Sequence, residues 1–267
     1  MLSNSGGQNT NSRDWPGTWL NAIETIARAA GELILQFYAR DVSASTKADG
    51  SPVTEADEAA ERLIVAHLQA LAIDTPVIAE ESATEGHFPD IPERFWLVDP
   101  LDGTKEFLSG NGEFTVNIAL VDRGRPILGV VFAPAIDQLF CGASNAPAVR
   151  KRAGATETIS VRTPPSEGLT VVSSRSHNDP AALENFLSGR RTAASISAGS
   201  SLKLCMVATG EADLYPRLGR TMEWDIAAGH AVLNAAGGRI MTVDGDELRY
   251  GKSGFANPHF MACGAQP

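Results

Sequence analysis

The segment Trp96-Leu97-Val98-Asp99-Pro100-Leu101-Asp102-Gly103-Thr104 runs an apolar strand straight into two carboxylates three residues apart on a tight turn. Upstream, Pro76-Val77-Ile78-Ala79-Glu80-Glu81-Ser82 repeats the pattern, and far downstream Glu223-Trp224-Asp225 supplies another carboxylate beside an aromatic ring. An Asp after a strand is commonly a turn former, and Asp-Gly is a common turn dipeptide. The whole constellation says more than that. Acids gathered at the exits of apolar strands repel one another, and such crowding persists where a cation or a function compensates it. Oxygen-only donors, these carboxylates and a backbone carbonyl such as that of Leu101, suit a hard divalent cation, magnesium above all. The five histidines are scattered, and Cys141, Cys205 and Cys263 lack the pair spacing of a zinc site.

With 267 residues, 43% of them hydrophobic, the chain can bury a substantial core as one large domain or two closely packed ones. A formal net charge of −10 argues against a binder of nucleic-acid polymers or anionic membranes, so an anionic substrate needs local cations. Three unpatterned cysteines fit a reducing compartment. Residues 1–14 are rich in Ser, Asn and Gly without a basic or apolar signal segment, and are expected to form a flexible tail. No segment approaches a membrane span, and a cytoplasmic setting is expected.

Apolar residues from Leu20 to Phe37 recur at helical spacing. The polar loop Lys47–Val53 precedes a second helical pattern running to Leu71, where Thr54 and Asp57 resemble a capping box. Strands are expected at Phe114–Val121 and Ile127–Phe132, joined at Asp122-Arg123-Gly124-Arg125-Pro126, with a third at Gln138–Gly142, as an antiparallel meander. The period then changes to alternating elements: strand Leu169–Ser173, helix Asp179–Leu187, strand Ala193–Ser197, helix Ser200–Thr209 and helix Trp224–Ala236, ended by Gly237-Gly238. A metal-binding α+β half over 15–163 and an α/β substrate-binding half over 164–267, tightly packed together, are the expected organisation.

Together, Asp99-Pro100-Leu101-Asp102-Gly103-Thr104, Glu80-Glu81 and Trp224-Asp225 resemble the inositol monophosphatase superfamily of magnesium-dependent, lithium-sensitive phosphatases. Lys47–Thr54, Asp102–Phe107, Asn111–Asn117 and Leu214–Arg217 look like its CysQ-type 3′(2′),5′-bisphosphate nucleotidase branch. The resemblance implies a layered αβαβα sandwich of the sugar-phosphatase fold and a magnesium site built from Glu80, Asp99, the Leu101 carbonyl, Asp102 and Asp225. It also lifts Asp57 above capping, to a place near the metals and Thr104. The implied chemistry is direct hydrolysis of a phosphomonoester by metal-activated water, without a phosphoenzyme. Glu80 and Thr104 orient the water, Asp57 accepts a hydrogen bond from the Thr104 hydroxyl, and Glu81 supports the ligands from behind.

On the substrate side, Asp102, Gly103, Thr104 and Asp225 are expected to meet the phosphate being cleaved, backbone N–H groups at Gly103 and Thr104 favouring an anion. Gly199-Ser200-Ser201-Leu202-Lys203 places two hydroxyls and an ammonium where a second phosphate could sit, although Ser200 taken alone is as well explained as a helix cap. Arg217, and less directly Arg175 and His177, are further cation candidates, and an Arg at 217 favours a second phosphate where an acid would favour ring hydroxyls. The expected substrate is therefore adenosine 3′(2′),5′-bisphosphate, converted to AMP, with 3′-phosphoadenosine 5′-phosphosulfate as a second substrate. An inositol or sugar monophosphatase is the alternative, and a non-catalytic magnesium- or ligand-binding protein the remote one. Both monomers and homodimers are compatible with the apolar pattern.

Overall fold

A computed structural model describes residues 15–39, 45–46, 52–72, 74–84, 91–176 and 179–264. The expected tail over 1–14, most of the polar loop over 47–53, and His177 lie outside the described residues. Helix α1 spans Trp15–Tyr38, followed by the short ribbon β1 (Ser45–Thr46) and β2 (Pro52–Val53), helix α2 (Glu55–Leu71), strand β3 (Val77–Ala79), helix α3 (Glu80–Thr84), strand β4 (Arg94–Asp102) and helix α4 (Thr104–Leu108). The meander β5 (Thr115–Asp122), β6 (Arg125–Ala133), β7 (Gln138–Ala143), β8 (Ala146–Arg152) and β9 (Ala155–Thr158) completes a seven-stranded sheet in the order β3-β4-β5-β6-β7-β8-β9. All its pairings are antiparallel except β3 against β4. The turn between β5 and β6 is the expected one, tightened to two residues: Arg123 (φ 49°) and Gly124 (φ 72°) are both left-handed, the requirement of a type I′ hairpin.

The chain then follows the expected elements in β10 (Leu169–Ser174), α5 (Pro180–Leu187), β11 (Thr192–Ala198), α6 (Leu202–Ala208) and α7 (Glu223–Ala235), and adds three strands the sequence reading does not include, β12 (Leu214–Arg217) before α7, and β13 (Arg239–Thr242) and β14 (Phe260–Cys263) after it. Its strands form a mixed five-stranded sheet ordered β11-β10-β12-β14-β13. Helices α1 and α2 cover the outer face of the larger sheet, and α6 and α7 lie between the sheets. On the far side of the smaller sheet, Phe186 and Leu187 of α5 pack on Leu169, Val171, Leu214 and Cys263. This is the expected αβαβα sandwich.

The core between the sheets draws on both sides of Pro164-Pro165, with Phe95, Val121 and Val131 meeting Leu204, Tyr215, Trp224 and Ala228. A second core under α1 and α2 holds Ile23, Ile34, Ile64, Trp96 and Ile118. Each large aliphatic or aromatic side chain fully withdrawn there contributes roughly 1.5–3 kcal/mol of burial free energy. Helix α7 is apolar on nearly all sides, as a helix sandwiched between layers must be. It settles directly onto the larger sheet at Gly129, where a Cβ would stand 2.3 Å from the Ala228 carbonyl oxygen. That approach sets the height of the helix, and so of the acidic residue in its first turn.

Strands β8 and β9 went unanticipated because their side chains are largely half-buried or exposed, with little apolar alternation. Helix α6 begins at Leu202 rather than Ser200, since Ser200 adopts a left-handed φ of 45° and Ser201 takes the cap position. No helix among the described residues is long and apolar enough to cross a membrane.

Candidate active site

The parallel register of β3 and β4 pairs Ala79 with Val98, so the next residue of each strand, Glu80 and Asp99, emerge side by side. Pro100 and a register shift between Asp99 and Asp102 bend β4 away from its partner. The turn is held by the Asp99 side chain, whose Oδ1 accepts the Leu101 N–H at 3.1 Å. Asp225 arrives from the first turn of α7, where its Oδ2 accepts the Met222 N–H at 2.9 Å. Carboxylate oxygens of Glu80, Asp99 and Asp225 all lie within 4.8 Å of one another, and these residues form the one such donor group among the described residues. The other candidates sit apart: His230 bonds Tyr250 Oη at 2.8 Å, and all three cysteines are buried free thiols.

Asp102 and Leu101 line the same cavity of about 440 Å³ as the trio. Burial raises the Asp102 carboxyl above its ordinary range, opposed by the Lys203 ammonium and the Asn117 amide, which donates to Oδ2 at 3.3 Å; the Glu80 charge raises it further. Burial, then the charges of Asp102 and Glu80, push Asp225 well above the carboxylate range, with Arg217 pulling the other way. Acids so crowded and so buried favour either protons or a cation among them. An all-oxygen donor set of this spacing fits a hard divalent ion.

Asp57 both caps α2 and contacts Thr104. The Thr54 N–H and hydroxyl donate to Asp57 Oδ2 at 2.8 and 2.6 Å, closing the capping box of α2. The other oxygen, Oδ1, accepts the Thr104 hydroxyl at 3.3 Å. Gly103 caps α4 with a φ of 92°, a conformation open to glycine and strained for other residues, and this turns Thr104 back toward α2.

Ser200, Ser201, Lys203 and Arg217 also line the cavity, together with Lys105, Tyr215 and Arg220, which sequence reasoning did not single out. The Gly199 N–H donates to Glu113 Oε2 at 2.7 Å, fastening the loop to the segment after α4. Ser201 Oγ donates to the Asp225 carbonyl at 2.5 Å, tying the same loop to α7. Lys203 is buried, donates to the carbonyls of Ser200 and Ala198, and stands 5.6 Å from the Tyr215 ring. Burial lowers its pKa to about 8, with Asp102 opposing and Arg217 adding to the fall. Arg217 is buried on β12, its Nη2 donating to the Arg220 carbonyl at 2.8 Å. Arg175, a weaker candidate, grips Glu113 through two bonds of 3.0 and 2.8 Å and also donates to the Ser197 carbonyl. The cavity is thus lined by acids and cations together.

A sequence model of the inositol monophosphatase family matches residues 15–264. Among characterised proteins, the 3′(2′),5′-bisphosphate nucleotidase CysQ of Escherichia coli K12 is 46% identical over 246 residues, covering 90% of this chain and 98% of that one. The crystal structure of CysQ from Bacteroides thetaiotaomicron superposes with a TM-score of 0.78 at 34% identity, covering 95% of this chain and 99% of the other. A Thermotoga maritima IMPase superposes with a TM-score of 0.74 at 27% identity over 91% and 90% of the respective chains.

Proposed function

The chain belongs to the inositol monophosphatase family, and on that premise we propose that it hydrolyses the 3′(2′)-phosphate of adenosine 3′(2′),5′-bisphosphate to give AMP and inorganic phosphate, and likewise converts 3′-phosphoadenosine 5′-phosphosulfate to the 5′-phosphosulfate. The observation that carries the substrate class is a single cavity lined both by carboxylates, Glu80, Asp99, Asp102 and Asp225, and by cations, Lys105, Lys203, Arg217 and Arg220. A molecule with two phosphates can be cleaved at the first and anchored at the second. The relatives named as bisphosphate nucleotidases support the same choice.

Magnesium is the proposed cofactor, held by Glu80, Asp99, the Leu101 carbonyl, Asp102 and Asp225. When bound, it supplies Lewis-acid activation of water and neutralises charge on the phosphoryl group. Thr104 directs its hydroxyl proton to Asp57 Oδ1, and Thr104 and Glu80 together orient the attacking water. Asp57 therefore fixes the direction of Thr104. The Thr104 and Gly103 backbone faces the phosphate being cleaved. Arg217 and Lys203 hold the remote phosphate, Lys203 also keeping the Ala198–Ser200 loop in place through its two carbonyl bonds. A cytoplasmic setting belongs to the same proposal.

Phosphate release from adenosine 3′,5′-bisphosphate, AMP and inositol 1-phosphate, measured side by side with magnesium, tests the substrate. The bisphosphate is expected to have the highest kcat/KM by tenfold or more; an equal or higher value for inositol 1-phosphate would remove the nucleotide assignment. Arg217→Ala is expected to raise KM for the bisphosphate about tenfold or more, the size of a lost charge-assisted hydrogen bond, with a much smaller effect on inositol 1-phosphate. Equal losses on both substrates would remove Arg217 from the remote-phosphate site.

A further inference from the structure

Glu61 is a carboxylate at 5% exposure that no step above employs. It lies one turn beyond Asp57 on the buried face of α2, the face that continues through Ile64 and Leu68. A carboxylate so placed has to be compensated, and its partners are all on the neighbouring β3–α3 junction. Glu61 Oε2 accepts the Glu81 N–H at 2.7 Å, while Oε1 accepts the Ser82 N–H at 2.9 Å and the Ser82 hydroxyl. These N–H groups belong to the first turn of α3, where no intrahelical acceptor exists. A side chain twenty residues upstream therefore acts as their cap.

The consequence falls on Glu80. It is the residue between the last bond of β3 and the first N–H held by Glu61, so its backbone is pinned from both sides. Glu80 faces Asp99 and Asp225 and is followed directly by the acidic Glu81, and repulsion favours swinging the junction outward. Three hydrogen bonds to an ionised acceptor oppose that swing. Helix α2 thus presents two carboxylates at two levels: Asp57 orients Thr104, and Glu61 holds the turn that delivers Glu80. We propose that Glu61 is a positioning residue for the divalent-metal site, setting cation affinity through the Glu80 backbone without touching cation or substrate. This role rests on assigning the acidic trio as the metal site.

Mn²⁺ binding followed by electron paramagnetic resonance, with thermal melts of the cation-free protein alongside, tests it. Glu61→Gln turns an amide N–H toward the Glu81 N–H and loses that bond; Glu61→Asp keeps the charge but falls one methylene short. Both variants are expected to weaken Mn²⁺ binding about tenfold or more, the usual effect of removing a group that orients a metal ligand, and to regain much of their turnover at high cation. Wild-type affinity in Glu61→Asp would assign any loss in Glu61→Gln to charge alone and overturn the positioning role. So would a fall in melting temperature in either variant with Mn²⁺ affinity unchanged. Should Glu61→Gln fail to fold, Glu61→Asp decides by itself. Absence of Mn²⁺ binding in the unmutated protein is a separate result, which removes the metal site and this role with it.

Discussion

Asp225→Asn is expected to lower phosphate release by roughly a thousandfold or more, because a carboxylate that helps hold the cation underwrites several kcal/mol of transition-state charge stabilisation. The substitution is a fair test, since the amide keeps its shape and its oxygen can still accept the Met222 N–H that closes the first turn of α7. Stability should move the other way in cation-free protein. The folded state raises the Asp225 carboxyl well above its ordinary value through burial and the charges of Asp102 and Glu80. A carboxyl with a raised folded pKa binds its proton more tightly in the native state. The folded state is then favoured below that value and loses ground as pH rises through it. At neutral pH the Asn variant should therefore melt at or above the temperature of the cation-free parent and show a shallower loss of stability with rising pH. Asp102→Asn should follow the same pattern, as its carboxyl is raised too. Near-full activity in Asp225→Asn, checked by phosphate release, would remove Asp225 from the site.

Removing the cation from the unmutated protein is the second large effect. Chelation is expected to abolish turnover, and magnesium at about a hundred times its dissociation constant should return it while adding about 2.7 kcal/mol of stability. For a chain of this size that corresponds to roughly 5–10 °C in melting temperature. Because Asp102 and Asp225 hold their protons more tightly than ordinary carboxyls, protons compete with the cation for these groups. Magnesium affinity should accordingly fall as pH falls, and binding should release protons into a weakly buffered solution. A calorimetric titration in two buffers of different ionisation heat measures that release. Turnover that survives exhaustive chelation would contradict the cation's role.

Much of the site was legible in the chain because its acids sit where local rules place them. Glu80 and Asp99 end apolar strands, Asp225 opens a helix, and the Thr54–Asp57 cap can be read from a spacing of three. The alternation after Leu169 marks β10, β11 and the helices α5, α6 and α7, but not the short strands β12, β13 and β14 that complete the smaller sheet. The groups that escaped notice are those whose partners are distant in sequence. Glu61 looks like one more charge on a helix until Glu81 and Ser82 come against it. Asn117 is an ordinary strand residue until β5 pairs with β4 and brings its amide to Asp102. Arg175 is legible in the sequence as a cation, but its pairing with Glu113 across the loop is not. The start of α6 was misplaced because a left-handed serine leaves no mark in composition.

Crystals soaked with Mn²⁺ and measured at the manganese absorption edge test the metal assignment most directly. The account predicts anomalous density among the carboxylates of Glu80, Asp99 and Asp225, within reach of the Leu101 carbonyl and Asp102. Manganese bound elsewhere, with these side chains turned to separate neighbours, would contradict it.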